Sequence, residues 1–492
     1  MIEKSFIAID LGATSGRTIL GTLKDNKIEL RELTRFPNNI VSIHNHQYWD
    51  IWGLYENIIE GLIEAKKLGV EVTSIGADTW GVDFAMIDRD GKLLGAPYSY
   101  RDPQTINMPD EFFNLMPREK VYGKTGNQIM NFNTLFQLFA LTKTNDSAIS
   151  LATDFLFMPD AISYLLTGKK VTEYTIASTS QILNPRTKIF DTELLKMADV
   201  NPAVFGEIVL PGHIVGSLTD YLAEKTGLGK VNVVAVAGHD TASAVAAIPT
   251  ETENFAFLSS GTWSLMGIEV QEPIINEMSY EQNFTNEGGV EGTTRFLKNI
   301  TGMWILEECL KEWKKDGHNY SYSELVLMSN QKSEFHSYID TDHASFACPL
   351  SMTKAITEYC FSTGQKTPTT QADFVSLIFE SLAMKYKYVF AKLKEFAPFE
   401  IEKLYVIGGG SKNSILNQWT ANAIGIPVYA GPGEATALGN LLVQAKAAGC
   451  VESLSDMRKI VINTCQIDKY IPTNTSEWEV NYLRYLEIIV QS

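Results

Sequence analysis

The amino-acid sequence predicts an α/β protein that is built from two domains of similar architecture. The chain has 492 residues, too many for one ordinary core, because domains contain about 150 residues on average. Apolar runs that read as buried strands alternate with apolar stripes at helical spacing, such as the stripe from Ile51 to Ile63. Residues 6–12 and 255–261 each combine a strand-like run with a closing glycine. The two halves of the chain are therefore predicted to be built alike.

Individual elements agree with this fold class. Residues 6–10 predict a buried strand, and the glycine-bearing bend after it leads into a second apolar run at 18–21, which predicts a hairpin. Residues 85–94 hold an Asp-Gly turn between apolar runs, so the sheets are predicted to be mixed rather than purely parallel. Residues 374–396 predict a long helix whose aromatic and leucine stripe packs into the core.

A proline within the polar run at 246–254 marks a plausible junction between the two halves. We therefore predict an N-terminal domain over residues 1–248 and a C-terminal domain over residues 249–492.

Composition and charge limit the possible partners. Hydrophobic residues make up 45% of the chain and charged residues 20%, which is typical of a protein that is folded throughout. A net charge of -17 disfavours nucleic-acid binding, which needs a basic surface. No apolar run reaches the length of a signal peptide or a membrane helix, so a soluble protein without a membrane partner is predicted. The five cysteines show no CxxC spacing, so the sequence predicts neither a disulfide framework nor a zinc site. This cysteine pattern favours a location in the reducing cytoplasm. The five residues are Cys309, Cys348, Cys360, Cys450 and Cys465.

Glycine-bearing bends are the candidate phosphate-binding elements. The sequence has neither a GxGxxG fingerprint nor a P-loop, whereas the bends at Gly12 and Gly261 would let backbone N–H groups approach an anion. Hydroxyl groups that can donate to phosphate follow both bends. Asp10 ends the strand before the first bend, where its carboxylate could hold Mg²⁺ or cap the turn.

Two strand-to-helix transitions could complete such a site. Residues 231–237 read as a strand that runs into Gly238, His239 and Asp240, and ligands favour such strand ends in α/β folds. On the local pattern, Asp240 is either a functional carboxylate or a helix N-cap, and His239 is either a site residue or a structural histidine. Glycines at 408–410, followed by those at 431–439, suggest a slot for a flat ring such as adenine.

In combination, these motifs resemble those of the FGGY carbohydrate kinases, which belong to the wider superfamily of actin-like and hexokinase-like ATPases. The resemblance covers nearly the whole chain. It depends on motifs at residues 10–17, 78–84, 100–102, 238–244, 258–264, 297–300 and 407–410. It implies two actin-like (ribonuclease H-like) domains, each with a mixed sheet flanked by helices, and an active site in the cleft between them.

The resemblance also implies roles for individual residues. It implies Asp240 as the catalytic base and assigns sugar contacts mainly to the first domain; these residues are Gly81, His239, Asp240, Thr241 and Asn299. It implies nucleotide contacts from Ala13, Thr14, Ser15, Gly16, Arg17, Thr262, Gly408, Gly409 and Gly410. Asp10 would assist the metal. Glu307 stands where similar kinases tend to carry a glutamine near the nucleotide, and an acid there would repel phosphate.

The implied reaction is transfer of the γ-phosphoryl group of MgATP to the 1-hydroxyl of L-rhamnulose, in rhamnose catabolism. Other sugars such as L-fuculose, L-ribulose or D-xylulose remain alternatives, because the phosphate-binding motifs do not report sugar stereochemistry. A non-catalytic actin-like ATPase or sugar sensor is the alternative of another class, and the presence of both Asp10 and Asp240 argues against it. The sequence leaves open the oligomeric state, the metal stoichiometry and the roles of His44 and His46.

Overall fold

The computed structural model describes residues 3–330, 337–347 and 349–491 of the chain. Cys348, one of the five cysteines, lies outside the described residues. The strands are β1 Lys4–Leu11, β2 Ser15–Lys24, β3 Lys27–Pro37, β4 Ile40–Ile43, β5 His46–Trp49, β6 Val72–Thr79, β7 Phe84–Ile87, β8 Asp154–Phe157, β9 Thr172–Glu173, β10 Leu183–Asn184, β11 Ile189–Phe190, β12 Ile208–Val209, β13 His213–Ser217, β14 Asn232–Ala235, β15 Phe255–Ser260, β16 Trp263–Val270, β17 Thr285–Gly288, β18 Thr294–Thr301, β19 Lys403–Ile407, β20 Val428–Ala430 and β21 Asp468–Tyr470.

Helices alternate with these strands along the chain, as the sequence predicts. They are α1 Ile51–Lys67, α2 Met108–Phe113, α3 Arg118–Thr125, α4 Thr134–Lys143, α5 Ser147–Leu151, α6 Met158–Thr167, α7 Tyr174–Ala177, α8 Thr192–Met197, α9 Asp220–Thr226, α10 Asp240–Ala246, α11 Glu277–Glu281, α12 Trp304–Lys315, α13 Tyr322–Asn330, α14 Met352–Ser362, α15 Gln371–Phe396, α16 Ser414–Ile424, α17 Ala435–Ala447, α18 Leu454–Thr464 and α19 Thr475–Gln491.

The chain divides into two compact units that do not correspond to its two halves. Unit 1 comprises residues 1–251, 269–296 and 435–465. Unit 2 comprises residues 252–268, 297–434 and 466–492. The chain thus leaves unit 1 close to the predicted junction, but two later segments return to it.

Unit 1 contains a six-stranded mixed sheet in the order β13-β14-β6-β1-β2-β3. The central strand β1 is antiparallel to β2 and parallel to β6, and β6 is in turn parallel to β14. The predicted first hairpin and the mixed sheet are both confirmed. Because β1, β6 and β14 are parallel neighbours, their carboxyl ends meet at one edge of the sheet.

Helix α17 packs into the core of unit 1, although it comes from the C-terminal half of the sequence. Leu441 lies so close to Gly21 of β2 that a Cβ there would be 2.5 Å from the leucine side chain. A Cβ on Gly439 would lie 1.8 Å from the carbonyl oxygen of Ser243 in α10, so only glycine permits this close approach of two helices. The side-chain amide of Gln444 donates to the carbonyl oxygen of Ile7 at 2.9 Å.

Unit 2 repeats the central arrangement of unit 1. The strands that lie wholly or partly in this unit follow the order β18-β16-β15-β19-β20-β21. Strand β15 is antiparallel to β16 and parallel to β19, just as β1 is antiparallel to β2 and parallel to β6. In each hairpin the glycine N–H donates across the turn at 2.9 Å, from Gly12 to Ser15 and from Gly261 to Trp263. The predicted duplication is therefore present in the structure.

Two predicted elements can be compared directly. The long helix predicted at 374–396 is α15, which begins earlier because Thr370 and Asp373 form a capping box. The hairpin predicted at 85–94 is present in short form: Ile87 and Leu93 form an antiparallel bridge, and the N–H groups of Leu94 and Asp88 donate to the carbonyl oxygens of Met86 and Lys92, both at 2.9 Å. Strand β7 also pairs with β8. Within the described ranges, no helix is long and apolar enough to cross a membrane.

Candidate active site

Three carboxylates gather at the carboxyl edge of the unit 1 sheet. Asp10 and Asp78 are register partners at the ends of the parallel strands β1 and β6. Asp240 begins α10 just beyond β14, and its neighbour His239 forms a parallel bridge with Thr79. The topology therefore brings together residues that are separated by 68 and 162 positions in the sequence.

Asp10 is paired with Arg17 across the first hairpin. A guanidinium nitrogen of Arg17 lies 2.5 Å from Oδ2 of Asp10, and both side chains are largely buried. The bend between them carries Ala13 and Thr14, of which Thr14 is exposed. Two of the predicted nucleotide or metal residues thus lie in contact with each other.

The end of β3 holds this bend in place. The side-chain amide of Asn38 donates to the carbonyl oxygen of Gly12 at 2.9 Å. The backbone N–H of Asn38 donates to the carbonyl oxygen of Thr14 at 3.1 Å. Gly16 is buried, and a Cβ on it would lie 2.3 Å from the ring of Phe36. Packing alone therefore requires glycine at position 16, whatever its backbone contacts. Sequence reasoning missed Asn38, because a lone asparagine after a strand carries no distinctive signal.

Asp78 is the most deeply buried of the three carboxylates. Its Oδ2 accepts from the side-chain amide of Asn440 at 2.6 Å, whereas Oδ1 has no hydrogen-bond partner among the described residues. Burial, followed by the nearby charge of Asp10, raises the pKa of Asp78 well above its usual value. An unpartnered carboxylate oxygen beside Asp10 is the type of hard oxygen donor that Mg²⁺ prefers. Asp10 and Asp78 are therefore the two side chains at this edge that could offer oxygens to a magnesium ion, whereas no group of three or more possible metal ligands is found among the described residues.

The segment from Gly238 to Asp240 is fixed by backbone hydrogen bonds. The N–H of Gly238 donates to Glu173 Oε2 at 2.9 Å, and its carbonyl oxygen accepts from the N–H of Thr79 at 2.8 Å. A Cβ on Gly238 would lie 2.9 Å from the same glutamate oxygen, so a larger residue would displace the segment. Glu173 is buried, and burial raises its pKa. It was not predicted from the sequence.

Asp240 is the first residue of α10 rather than its N-cap, a position that His239 occupies. Within the described residues, the polar contacts of the Asp240 carboxylate go to one oxygen, Oδ1. The backbone N–H and the hydroxyl of Thr241 donate to Oδ1 at 2.5 and 3.0 Å, and His239 Nε2 lies 3.4 Å from it. Because about a third of the side chain is exposed, Oδ2 is left available for a ligand.

His239 connects Asp240 to a buried ion pair. Its Nδ1 lies 3.2 Å from Glu287 Oε2 and 3.2 Å from a terminal nitrogen of Arg295. The same Arg295 nitrogen lies 3.2 Å from Glu287 Oε2, and the whole Arg295 side chain is inaccessible to solvent. Burial alone would raise the pKa of Glu287. The hydrogen bond from His239 and the charge of Arg295 outweigh burial and lower this pKa. Sequence reasoning missed this pair, since both residues lie outside every motif.

The segment around Gly81 combines backbone strain with a buried carboxylate. Val82 has a φ of 67°, an unfavourable conformation for a β-branched residue, and strain of this kind tends to occur at functional sites. Asp83 Oδ2 accepts from the indole nitrogens of Trp49 and Trp80 at 2.6 and 2.9 Å and from the N–H of Tyr100 at 3.0 Å. Burial raises the pKa of Asp83 to about 6. Gly81 itself is half-buried.

The neighbouring motif at 100–102 braces the same region of unit 1. Asp102 accepts from the backbone N–H of Gln47 at 2.7 Å, from that of Gln104 at 2.9 Å, and from His46 Nδ1 at 3.1 Å. This gives His46, whose role the sequence left open, a structural contact. The guanidinium of Arg101 lies 5.1 Å from the centre of the Tyr100 ring.

In unit 2, the predicted nucleotide residues lie around the second hairpin. The hydroxyl of Thr262 donates to Glu307 in the first turn of α12, at 3.1 Å from Oε1. A Cβ on Gly410 would lie 2.0 Å from Ser260 Oγ, so the glycine turn packs directly against the end of β15. Gly408 has a φ of 79°, which favours glycine. Asn299 is half-buried on β18.

The two glycine segments that suggested a ring-binding slot have different locations. Residues 408–410 and 431–433 are adjacent in unit 2, where the N–H of Gly408 donates to the carbonyl oxygen of Pro432 at 3.2 Å. Gly439, by contrast, lies within α17 in unit 1, where helix packing explains it.

Sequence comparison identifies the family. The sequence model of the FGGY family of carbohydrate kinases, N-terminal domain, matches residues 5–247, and that of the C-terminal domain matches residues 256–448. The chain belongs to the FGGY family of carbohydrate kinases. An FGGY relative from Bacteroides thetaiotaomicron named rhamnulokinase is 50% identical, covering 98% of this chain and 99% of its own. A rhamnulokinase from Ligilactobacillus salivarius is 42% identical, covering 95% of this chain and 96% of its own.

Solved structures show the same fold at low sequence identity. A gluconate kinase from Lactobacillus acidophilus superposes with a TM-score of 0.80 at 16% identity, covering 99% of this chain and 98% of its own. A glycerol kinase from Plasmodium falciparum, determined with ADP, gives a TM-score of 0.79 at 14% identity, with 98% of each chain covered. The predicted α/β fold with two actin-like domains is confirmed.

Proposed function

We propose that this FGGY kinase transfers the γ-phosphoryl group of MgATP to the 1-hydroxyl of L-rhamnulose, giving L-rhamnulose 1-phosphate and ADP. The choice of sugar is supported by relatives named rhamnulokinase that match the chain over almost its whole length. The chemistry is supported by one observation above all: Asp240 leaves Oδ2 open at the sheet edge that also carries Asp10 and Asp78. A cytoplasmic location, where MgATP is available, belongs to the same proposal.

The residues divide between the two substrates. The sugar is held by Gly81, His239, Asp240, Thr241 and Asn299. The nucleotide is held by Ala13, Thr14, Ser15, Gly16 and Arg17 from the first hairpin, and by Thr262, Gly408, Gly409 and Gly410. Glu307 acts through its hydrogen bond with Thr262, which directs the acid towards a hydroxyl rather than towards phosphate. Residues 1–248 thus supply most sugar contacts, and residues 249–492 supply a large part of the nucleotide site.

Asp10 would hold Mg²⁺, with Asp78 as a second oxygen donor at the same edge. When bound, the metal supplies positive charge that neutralises the phosphate oxygens as they approach the acceptor. Arg17, on the second strand of the same hairpin, balances the charge of Asp10.

Asp240 acts as a late, orienting base. A carboxylate is too weak a base to remove the proton from an alcohol in advance, so the proton moves as the bond between the sugar oxygen and phosphorus forms. As that bond forms, the bond from the γ-phosphorus to the ADP oxygen breaks, and the hydroxyl proton passes to Oδ2 of Asp240. Positioning and charge neutralisation supply the remaining rate enhancement.

A sugar panel tests the substrate. Initial rates of ADP release would be measured with L-rhamnulose, L-fuculose, L-ribulose and D-xylulose at matched concentrations and saturating MgATP. The proposal predicts the highest kcat/KM for L-rhamnulose. A higher kcat/KM for any of the other three sugars would overturn the choice of sugar while leaving the kinase activity intact.

A further inference from the structure

Two buried side chains of unit 1 hold the backbone segment that leads into Asp240. We propose that Glu173 and Thr175 are positioning residues, which fix the backbone just before Asp240 and thereby aim its carboxylate at the sugar hydroxyl. The effect on catalysis rests on the proposed function, whereas the anchoring of the segment does not. Neither Glu173 nor Thr175 lies in any of the motifs that define the resemblance to the family.

Two successive backbone N–H groups make the connection. The N–H of Gly238 donates to Glu173 Oε2 at 2.9 Å. The N–H of His239 donates to the hydroxyl of Thr175 at 3.3 Å, and that hydroxyl in turn donates to Glu173 Oε2 at 2.6 Å. Because a backbone N–H can only donate, both anchoring contacts have a single possible direction. One glutamate oxygen is thus the common acceptor for the segment.

Glu173 is itself held rigidly at the start of α7. Its Oε1 accepts from the N–H of Thr175 at 2.8 Å, and its Oε2 accepts from the N–H of Ile176 at 3.1 Å. Its backbone N–H donates to Asp160 of α6 at 3.1 Å, and both carboxylates are buried. A helix cap is the simpler interpretation of Glu173. A cap alone, however, does not need the further contact with Gly238.

The anchored segment restricts the position of Asp240. The carbonyl oxygen of Gly238 accepts from the N–H of Thr79 at 2.8 Å, and that of His239 accepts from the N–H of Ala242 at 2.7 Å. The N–H and carbonyl groups of both residues are therefore occupied immediately before the chain reaches Asp240. The direction of its carboxylate depends on this backbone, and a displacement of about 1 Å can lower a rate about 10²-fold.

Hydrogen–deuterium exchange measures the anchoring without reference to activity. Peptic peptides that cover residues 236–242 report the amides of the segment, and peptides that cover β1 are the reference within the same unit. Glu173→Gln keeps the size of the side chain, but its NH₂ group cannot accept, so at least one N–H loses its acceptor. We expect faster exchange at 236–242 and unchanged exchange in β1. Wild-type exchange at 236–242 in the variant, or an equal increase in both regions, would overturn the proposal.

Kinetics test the consequence for Asp240. Glu173→Gln is expected to lower kcat with L-rhamnulose by about 10- to 100-fold, because the base is no longer held in its productive position. The KM for ATP should stay close to that of the wild type, since the proposed nucleotide contacts come from other segments. An unchanged kcat together with faster exchange at 236–242 would refute the positioning role.

A double-mutant cycle separates positioning from general damage. If Glu173 acts through Asp240, its substitution has no base left to misplace in the Asp240→Asn background. We expect Glu173→Gln/Asp240→Asn to have the kcat of Asp240→Asn within about 2-fold. If Glu173→Gln lowers kcat by the same factor in both backgrounds, it acts independently of Asp240 and the proposal fails.

Thr175 offers a milder variant that decides the question even if Glu173→Gln does not fold. Thr175→Val removes the hydroxyl that connects His239 to Glu173, and the loss of this buried hydrogen bond should lower kcat about 3- to 10-fold. Thr175→Ser keeps the hydroxyl and should restore most of kcat. Equal kcat values for Thr175→Val and Thr175→Ser would contradict the proposal.

Thr172 is the matched control on the adjoining strand β9. It is as deeply buried as Thr175, but its hydroxyl has no hydrogen-bond partner among the described residues. Thr172→Val should therefore leave kcat unchanged, and a loss equal to that of Thr175→Val would refute the specific role of the Thr175 hydroxyl. If the protein phosphorylates none of the four sugars, the proposed function fails, and the exchange measurement still decides whether Glu173 anchors the segment.

Discussion

At the scale of single residues, Asp240 shows how one position can serve both a helix and a reaction. It begins α10, where a negative charge favours the helix N-terminus, and it also leaves one carboxylate oxygen open. Asp240→Asn keeps the size and the hydrogen-bonding capacity of the side chain, so the fold should persist. We expect kcat to fall by about 10²- to 10⁴-fold, the usual contribution of a general base.

Asp220 offers a matched control for that substitution. It is likewise the first residue of a helix in unit 1, α9, but it is paired with Lys230 at the surface. Asp220→Asn should therefore leave kcat unchanged in the same assay. Near-normal turnover by Asp240→Asn, with circular dichroism showing a native fold for both variants, would remove Asp240 from the mechanism.

Asp83 should make the stability of the protein depend on pH. Its pKa in the folded protein is about 6, above the ordinary value of 3.8, so the folded state binds the proton more tightly than the unfolded state. Asp83 therefore contributes stability below about pH 4, and this contribution is lost as the pH rises through about 6. The rise of the pKa from 3.8 to about 6 corresponds to on the order of 3 kcal/mol.

Urea unfolding at several pH values between 4 and 7 measures this effect. The free energy of unfolding of the wild type should fall more steeply across the window than that of Asp83→Asn. The comparison between the two proteins is needed because Asp78, Asp160 and Glu173 also have raised pKa values. Parallel pH profiles for the wild type and Asp83→Asn would contradict the assignment.

The sequence predicted site residues well where they lie in local motifs. Asp10 lies at the end of a strand, and Asp240 and the bends at Gly12 and Gly261 each follow one. Strand ends can be recognised from apolar runs. Asn38, Glu173, Glu287 and Arg295 could not be found in this way. Each acts through a contact with a segment distant in the sequence, and no spacing rule connects them to it.

At the scale of elements, the turn at Gly408–Gly410 depends on its approach to β15. Gly410→Ala would bring a methyl group against Ser260, and overpacking of this kind typically costs about 1–3 kcal/mol. We expect a lower melting temperature and a higher KM for ATP. The adjacent Gly409 has open space where a Cβ would be placed, so Gly409→Ala should keep the wild-type melting temperature. Equal melting temperatures for the two variants would refute the packing argument.

The elements themselves were largely predictable, but their partners were not. Strand β15 and helix α15 were expected from periodicity, and both are present with small changes at their ends. The hairpin predicted around Gly91 is present in short form. Strand β7 also pairs with β8, and pairing with a distant strand cannot be read from the local turn signal.

At the scale of the whole molecule, the chain path makes unit 1 depend on the C-terminal half of the sequence. Helix α17 is buried on most sides, and its residues contact β1, β2 and α10. A fragment that ends at residue 251 would leave these apolar surfaces exposed. We expect this fragment to be poorly soluble and to lack a cooperative thermal transition, as monitored by circular dichroism. Cooperative melting of the fragment at the temperature of the full chain would show that unit 1 does not need α17.

The central claim concerns the whole molecule acting as a phosphotransferase, and the product ratio tests it most directly. Wild-type protein would be incubated with MgATP and L-rhamnulose, ADP would be quantified enzymatically, and the sugar phosphate would be identified and quantified by phosphorus-31 NMR. We predict one L-rhamnulose 1-phosphate for each ADP and negligible ADP without sugar. ADP formation that is independent of sugar, or phosphate attached to a hydroxyl other than that on C1, would contradict the account.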